Sequence, residues 1–152
     1  MKVSEILKFK GNVLFTVTPS TPILQAVNIM AEKDMGSLVV MEGGKLVGIL
    51  TFQEIMDILH AHKGSIGEGT VREHMNSNPV TISPDTDINE ARRLMLERHP
   101  KHGHPRYVPV VSGSVVLGVI SFYDVAKAVF ESQSFENKML KSYIQDWPAQ
   151  SE

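Results

Sequence analysis

Two short elements of this sequence pair a hydroxyl with an acid three residues on: Thr51-Phe-Gln-Glu54 and Ser121-Phe-Tyr-Asp124. Each follows an apolar run containing one glycine, Leu46-Val-Gly-Ile-Leu50 and Val116-Leu-Gly-Val-Ile120. At a helix start this spacing makes a capping box, in which hydroxyl and carboxylate each accept from the other residue's backbone N–H. The box accounts for almost all of Thr51 and Glu54, because Glu is the preferred partner at that position. Asp124 is shorter and reaches back less well, so a cap explains it less completely. A carboxylate also offers two oxygens side by side to two neighbouring donors, which leaves ligand binding open for both acids.

Catalytic patterns are absent. The sequence has no phosphate-loop lysine motif, no G-x-S-x-G elbow and no G-x-G-x-x-G after a strand. Neither acid has a nucleophile or base beside it, so an enzyme is not expected. Gly64-Ser-Ile-Gly67-Glu-Gly69 reads as a linker, since its glycines do not fit phosphate-loop spacing. His99, His102 and His104 fall among Pro100, Gly103 and Pro105, with neither helical spacing nor an acid cluster. They read as an exposed loop rather than a metal site. Such a loop changes charge near neutral pH and could tune phosphate affinity. His60 and His62 suit a helix C-terminus, where a cation is favourable.

The elements that must position these residues come from an internal repeat. A shift of 65 lays Thr16–Lys33 over Thr81–Arg98, with identities at Thr16/Thr81, Pro19/Pro84, Thr21/Thr86, Ile23/Ile88, Ala26/Ala91, Met30/Met95 and Glu32/Glu97. A shift of 70 lays Leu38–Ile55 over Val108–Val125, matching Val40/Val110, Gly43/Gly113, Gly48/Gly118 and Phe52/Phe122. The change of shift marks a five-residue insertion in the second copy near Pro100–Pro105. Val3-Ser-Glu-Ile-Leu7 pairs with Val71-Arg-Glu-His-Met75. The division is a first repeat over 1–62, a linker over 63–70, a second repeat over 71–131 and a tail over 132–152.

Each copy reads as β-α-β-β-α. Phe15–Thr18 and Val80–Ser83 are β-branched runs stopped by Pro19 and Pro84. Helices beginning at Ser20 and Asp85 carry apolar residues at 3, 4, 7 spacing. Hairpins follow about Gly43-Gly44 and Gly113, then helices over Phe52–His60 and Phe122–Glu131. Neither copy alone has a comfortable core, and two packed sheet to sheet would. Met30, Met35, Met56, Met95 and Met139 read as adaptable core filler. In the tail, Phe135, Met139, Tyr143, Ile144 and Trp147 form a near-helical apolar stripe, which either covers the chain's own core or a second copy, or docks another protein.

Composition agrees with an ordinary globular α/β chain. Of 152 residues 42% are hydrophobic and 21% charged, with net charge −2 and no cysteine. That excludes a disulfide scaffold, a thiolate zinc site and a cysteine nucleophile, and argues against a basic nucleic-acid binder. The longest apolar stretches, Leu38–Met41 and Val115–Ile120, fall far short of the roughly 20 residues a membrane helix needs. The first ten residues hold no signal-peptide core. A cytoplasmic protein that contacts neither nucleic acid nor membrane is expected.

The tandem copies, with Val47-Gly48-Ile49-Leu50-Thr51-x-x-Glu54 and Leu117-Gly118-Val119-Ile120-Ser121-x-x-Asp124, resemble paired cystathionine-β-synthase (CBS) domains, the Bateman module. Met35-Gly-Ser-Leu-Val-Val40 and Arg106-Tyr-Val-Pro-Val-Val111 are similar to that family's central strands. The resemblance implies two repeats related by a pseudo-two-fold axis, a homodimer through the helices, and an adenine nucleotide in one or both inter-repeat clefts. AMP, ADP, ATP or NAD(H) are the implied ligands, with S-adenosylmethionine behind them, and no catalytic cofactor. It implies that the acid accepts both ribose hydroxyls, a role favoured for Asp124 and level with the cap for Glu54, which stands where the family usually has Asp. Each cleft would take its acid from one copy and its central strand from the other. Glu54, with Thr51, would work with Arg106, Tyr107 and Thr81. Asp124, with Ser121 and Phe122, would work with Thr16, Gly36, Ser37 and Leu38. Arg106 would meet phosphate or be a surface charge, and Thr16 and Thr81 would line a cleft or serve strand propensity alone. The implied role is a regulatory sensor whose ligand sets the angle between repeats and whose output passes to another polypeptide. The competing reading is a structural dimerisation module with vestigial clefts.

Overall fold

The computed structural model describes residues 1–11 and 14–145. The first part of the chain runs α1 (Val3–Lys10), β1 (Thr16–Val17), α2 (Ile23–Glu32), β2 (Ser37–Glu42), β3 (Lys45–Thr51) and α3 (Phe52–Ala61). The second runs α4 (Val71–His74), α5 (Ile88–Leu96), β4 (Tyr107–Ser112), β5 (Val115–Ser121) and α6 (Phe122–Gln145). The class is the mixed α/β one expected. Both hairpins turn on glycine at positive φ, and both carry a register shift at the same place, Val40/Met41 and Val110/Val111. The repeat in sequence is therefore a repeat in geometry.

The two first strands differ. β1 lies parallel to β2, Thr16 opposite Val39 and Val17 opposite Val40. The strand expected over Val80–Ser83 is reduced to one bridge, Ile82 with Val110. There Ile82 N–H donates to the Pro109 carbonyl at 3.1 Å and Val111 N–H to the Ile82 carbonyl at 2.8 Å. The next rung would need an N–H from Pro109, and proline has none. The long helices start at Ile23 and Ile88, later than Ser20 and Asp85. Local turns consume those residues: Thr18 N–H donates to Thr21 Oγ1 at 3.2 Å, and Asp85 N–H to Ser83 Oγ at 3.2 Å.

The leading helix of each copy packs into the other copy. Val3 and Ile6 of α1 sit in one core with Ile82, Ile88, Ala91, Met95, Val108, Val110, Ile120 and Val125. Val71 of α4 joins Val17, Ile23, Ala26, Met30, Leu38, Val40, Leu50 and Ile58. Matching backbone bonds fix the exchange: Val3 N–H to the Thr86 carbonyl and Val71 N–H to the Thr21 carbonyl, both at 2.9 Å. This crossing explains the glycine of each hydroxyl-x-x-acid element. A Cβ on Gly48 would lie 2.7 Å from Met75 Sδ and 2.9 Å from the Asn76 carbonyl oxygen, and one on Gly118 3.0 Å from Leu7 Cδ2. At Gly48, where the obstacle is backbone, glycine lets the leading segment lie that close to the strand, and at Gly118 a side chain would require Leu7 to shift.

α6 continues from Phe122 through Glu131 to Gln145 without a break. Met139 on it is exposed. The side chains of Phe135, Tyr143 and Ile144, and Trp147 altogether, lie outside the described residues. The methionines divide: Met30 and Met95 are buried as expected, whereas Met56 and Met139 face solvent.

Candidate functional site

Both acids stand at the N-terminus of a helix that leaves a β-hairpin, and both form their capping boxes. In the first, Glu54 Oε1 accepts from Thr51 N–H and Thr51 Oγ1, each at 2.8 Å, while Thr51 Oγ1 accepts from Gln53 N–H at 3.2 Å. In the second, Asp124 Oδ2 accepts from Ser121 N–H at 2.8 Å and Ser121 Oγ accepts from Asp124 N–H at 3.0 Å. The shorter side chain of Asp124 thus closes its box as fully as Glu54 does. The shorter reach of Asp is no handicap here, because Ser121 ends its strand extended and its N–H meets the carboxylate at 2.8 Å.

Each acid also meets a base from a distant part of the chain. Glu54, only 4% exposed, has its Oε2 3.3 Å from His102 Nδ1. Asp124 accepts from Lys10 Nζ at 2.7 Å, and the same ammonium donates to the Val119 carbonyl at 2.9 Å. Sequence reading named neither Lys10 nor the Glu54–His102 pair. The sequence reading assigned no helix to Val3–Lys10, where α1 forms, and so gave no strand for it to lie across.

Two cavities of about 520 Å³ each flank these elements, within the usual range for small-molecule sites. The first is walled by Thr51, Phe52 and Glu54, by the 76–80 segment and by His99–Tyr107. The second is walled by Lys10, Phe15, Asp34, Gly36, Ser37, Ser121, Phe122 and Tyr123 among others, and again by Arg106 and Tyr107. Arg106 and Tyr107 therefore belong to both clefts, not to that of Glu54 alone. Arg106 Nη1 donates to Gln53 Oε1 at 3.5 Å, and the Tyr107 ring meets Phe52 edge-on at 6.5 Å between centroids. Burial pushes the Tyr107 phenol above its ordinary pKa, the charge of Asp124 adding and that of Arg106 opposing. Its hydroxyl stays neutral and able to donate throughout the neutral range.

Four of the expected residues are not brought to the walls. Leu38 is 1% exposed, inside the first core. Thr16 and Thr81 face solvent because strand alternation turns Val17 and Ile82 inward. The neighbour of Thr81, Val80, lines the first cleft in its place. Asp124 opens beside Lys10, Lys127 and Glu131 onto a third cavity of about 410 Å³, which Lys10 shares with the second cleft. The His99–Pro105 loop, expected to be merely exposed, forms one whole side of the first cleft. Among the described residues no group of three or more His, Asp or Glu is placed to hold a metal ion, and none of their helices is long and apolar enough to cross a membrane. The clefts offer hydrogen bonds, charge and apolar walls to a bound molecule.

The CBS domain family matches this chain twice, over residues 4–61 and 71–131. The mitochondrial CBS domain-containing protein CBSX3 of Arabidopsis thaliana is 28% identical over 153 residues, covering 94% of this chain and 71% of that protein. A solved structure of a protein with CBS domains from Burkholderia ambifaria is 30% identical, covers 88% of this chain and 96% of that one, and superposes with a TM-score of 0.77. The CBS domain pair of protein MJ0100, solved in complex with 5′-methylthioadenosine and S-adenosyl-L-methionine, is 25% identical. It covers 87% of this chain and 98% of that one, with a TM-score of 0.71.

Proposed function

The chain belongs to the CBS domain family, and from that premise we propose that it is a regulatory module, not an enzyme, that binds an adenine nucleotide between its repeats. The observation that carries this reading is the pair of equal cavities, each walled by residues of both copies and each beside a hydroxyl-x-x-acid element. The adenosyl ligands of the MJ0100 pair support the same class of ligand, and AMP, ADP, ATP and NAD(H) are the candidates. A ligand touching both copies favours one angle between them, by as much as its affinity differs between the two arrangements. The signal then passes to another polypeptide in the cytoplasm.

Thermal shift of the protein with AMP, ADP, ATP, NAD, NADH and S-adenosylmethionine tests this. At 100 times Kd a single-site ligand adds about 2.7 kcal/mol, a rise of roughly 5–10 °C for a chain of this size. One nucleotide is expected to give that shift. No shift with any of the six at millimolar concentration would leave the structural dimerisation module as the reading. That second reading has its own support, since both acids are already bonded within the chain.

The homodimer belongs to either reading. The N-terminal parts of α3 and α6 leave Phe52, Met56 and Tyr123 exposed, the last 72%, and large apolar side chains left open to water suit a contact with a second copy. Light scattering coupled to gel filtration is expected to return twice the chain mass. A single-chain mass at micromolar concentration would remove the dimer.

A further inference from the structure

We propose that the His99–Pro105 loop makes the first cleft selective for nucleotides that carry a phosphate chain, and makes their binding tighten as pH falls. This rests on the adenine-nucleotide reading and names the ligand chemistry and regulation of one of its two sites. The loop contains the insertion that distinguishes the second copy from the first, so the second cleft has no counterpart of it. It is a built feature: His99 and Gly103 exchange two backbone hydrogen bonds, at 3.0 and 2.9 Å, and all seven of its residues face the first cleft.

The charges of that wall can be followed element by element. From α3 comes Glu54, its Oε1 taken by Thr51 and its Oε2 turned to His102. The next acid on α3, Asp57, is bonded to Gln53 and is not part of the wall. From β4 comes Arg106, beside the neutral Tyr107. From the loop come Lys101 and three imidazoles, those of His99, His102 and His104. The 76–80 segment brings no charge. One buried and bonded carboxylate therefore faces two permanent cations and three imidazoles, each able to take up a proton. A bound phosphate chain favours the charged imidazoles, so binding takes up protons and strengthens on acidification. The cationic sulfonium of S-adenosylmethionine meets the same field with the opposite sign.

The test is calorimetric titration of the full chain with ATP, adenosine, S-adenosylmethionine and inorganic tripolyphosphate, at pH 6.0 and 8.0 and constant ionic strength. It is run in parallel on the wild type and on a His99→Gln/His102→Gln/His104→Gln variant. A His99→Gln/His104→Gln variant, which leaves the Glu54 contact in place, serves if the triple replacement fails to fold. Titration of the phosphates themselves is common to all proteins and cancels in the comparison. The wild type is expected to bind ATP on the order of tenfold more tightly at pH 6.0 than at 8.0, and more tightly than S-adenosylmethionine at both. The variants should lose most of the gain. An equal gain in the variants, or S-adenosylmethionine bound as well as ATP, overturns the proposal. Adenosine that binds with no preference for phosphate overturns it while leaving the nucleotide reading standing. Tripolyphosphate that binds with the pH gain, and is not improved upon by ATP, upholds the loop's role and removes the nucleotide reading. If none of the four binds, both fall.

Discussion

Gly36→Val is expected to destabilise the protein by about 1–3 kcal/mol, because inserted carbon atoms would enter space that is already filled. Gly36 does not adopt positive φ, so its requirement is one of room and not of backbone conformation. A Cβ there would overlap the Tyr107 phenol, oxygen and ring carbon together. Tyr107 gives way only by leaving Phe52, which stands edge-on to its ring, and swinging into one of the two clefts it walls. Gly36 immediately precedes β2 and Tyr107 opens β4, so the contact joins the starts of the two central strands beside Tyr107, which walls both clefts. The urea midpoint of Gly36→Val should fall with little change in slope. In a Tyr107→Ala background the same substitution should cost at least about 1 kcal/mol less, the coupling expected of residues in direct contact. Equal cost in both backgrounds would show that the glycine serves some other neighbour.

The contact also shows what could and could not be read from the sequence. The repeat, the hairpins and the helices after them were legible, because each is fixed by residues close in the chain: the paired identities, the Gly43-Gly44 and Gly113 turns, and the 3, 4, 7 spacing. The capping boxes were legible for the same reason. What escaped were pairings that only the tertiary fold creates. Lys10 lies 114 residues from Asp124, and His102 lies 48 from Glu54. The exchange of α1 and α4 between the copies escaped too, since Val3–Leu7 and Val71–Met75 read only as matching repeat starts, with no element or packing partner assigned to either. The residues carried over from the family pattern divided along a physical line. Those on hairpin ends and helix starts, Gly36, Ser37, Thr51, Glu54, Ser121, Phe122, Arg106 and Tyr107, line the cavities. Leu38, Thr16, Thr81 and Asp124 do not: strand alternation decides the first three one residue at a time, and Asp124, though on a helix start, opens with Lys10 onto the third cavity. Thr16 and Val17 differ only in which face of the sheet they meet.

Asp124→Ala is expected to lower nucleotide affinity at least tenfold, in the manner of a lost charged hydrogen-bonding partner, and stability by about 1–3 kcal/mol. Stability falls because one side chain does two structural jobs: it caps α6 through Ser121 N–H and anchors Lys10 of α1. The cap alone is worth about 1 kcal/mol. The ion pair adds a similar or smaller amount, because the lysine side chain is 40% exposed and solvent screens it. Lys10→Met should therefore cost less than about 1 kcal/mol, and the double variant should cost less than the two single ones combined. Affinity falls for a separate reason. A ribose diol that reaches this carboxylate competes with Lys10 at Oδ2, and the ammonium it displaces remains at the edge of the second cleft, where a phosphate can meet it. Asp124→Asn separates the two jobs, since the amide oxygen can still accept from Ser121 N–H while the charge that holds Lys10 is gone. It should recover most of the cap and little of the affinity. The deciding measurement is nucleotide titration of the three variants beside their urea midpoints. Affinity that follows the carboxylate, and not the midpoint, makes Asp124 a ligand residue. Unchanged affinity in a destabilised Asp124→Ala protein makes it a cap, and leaves nucleotide binding to the first cleft alone.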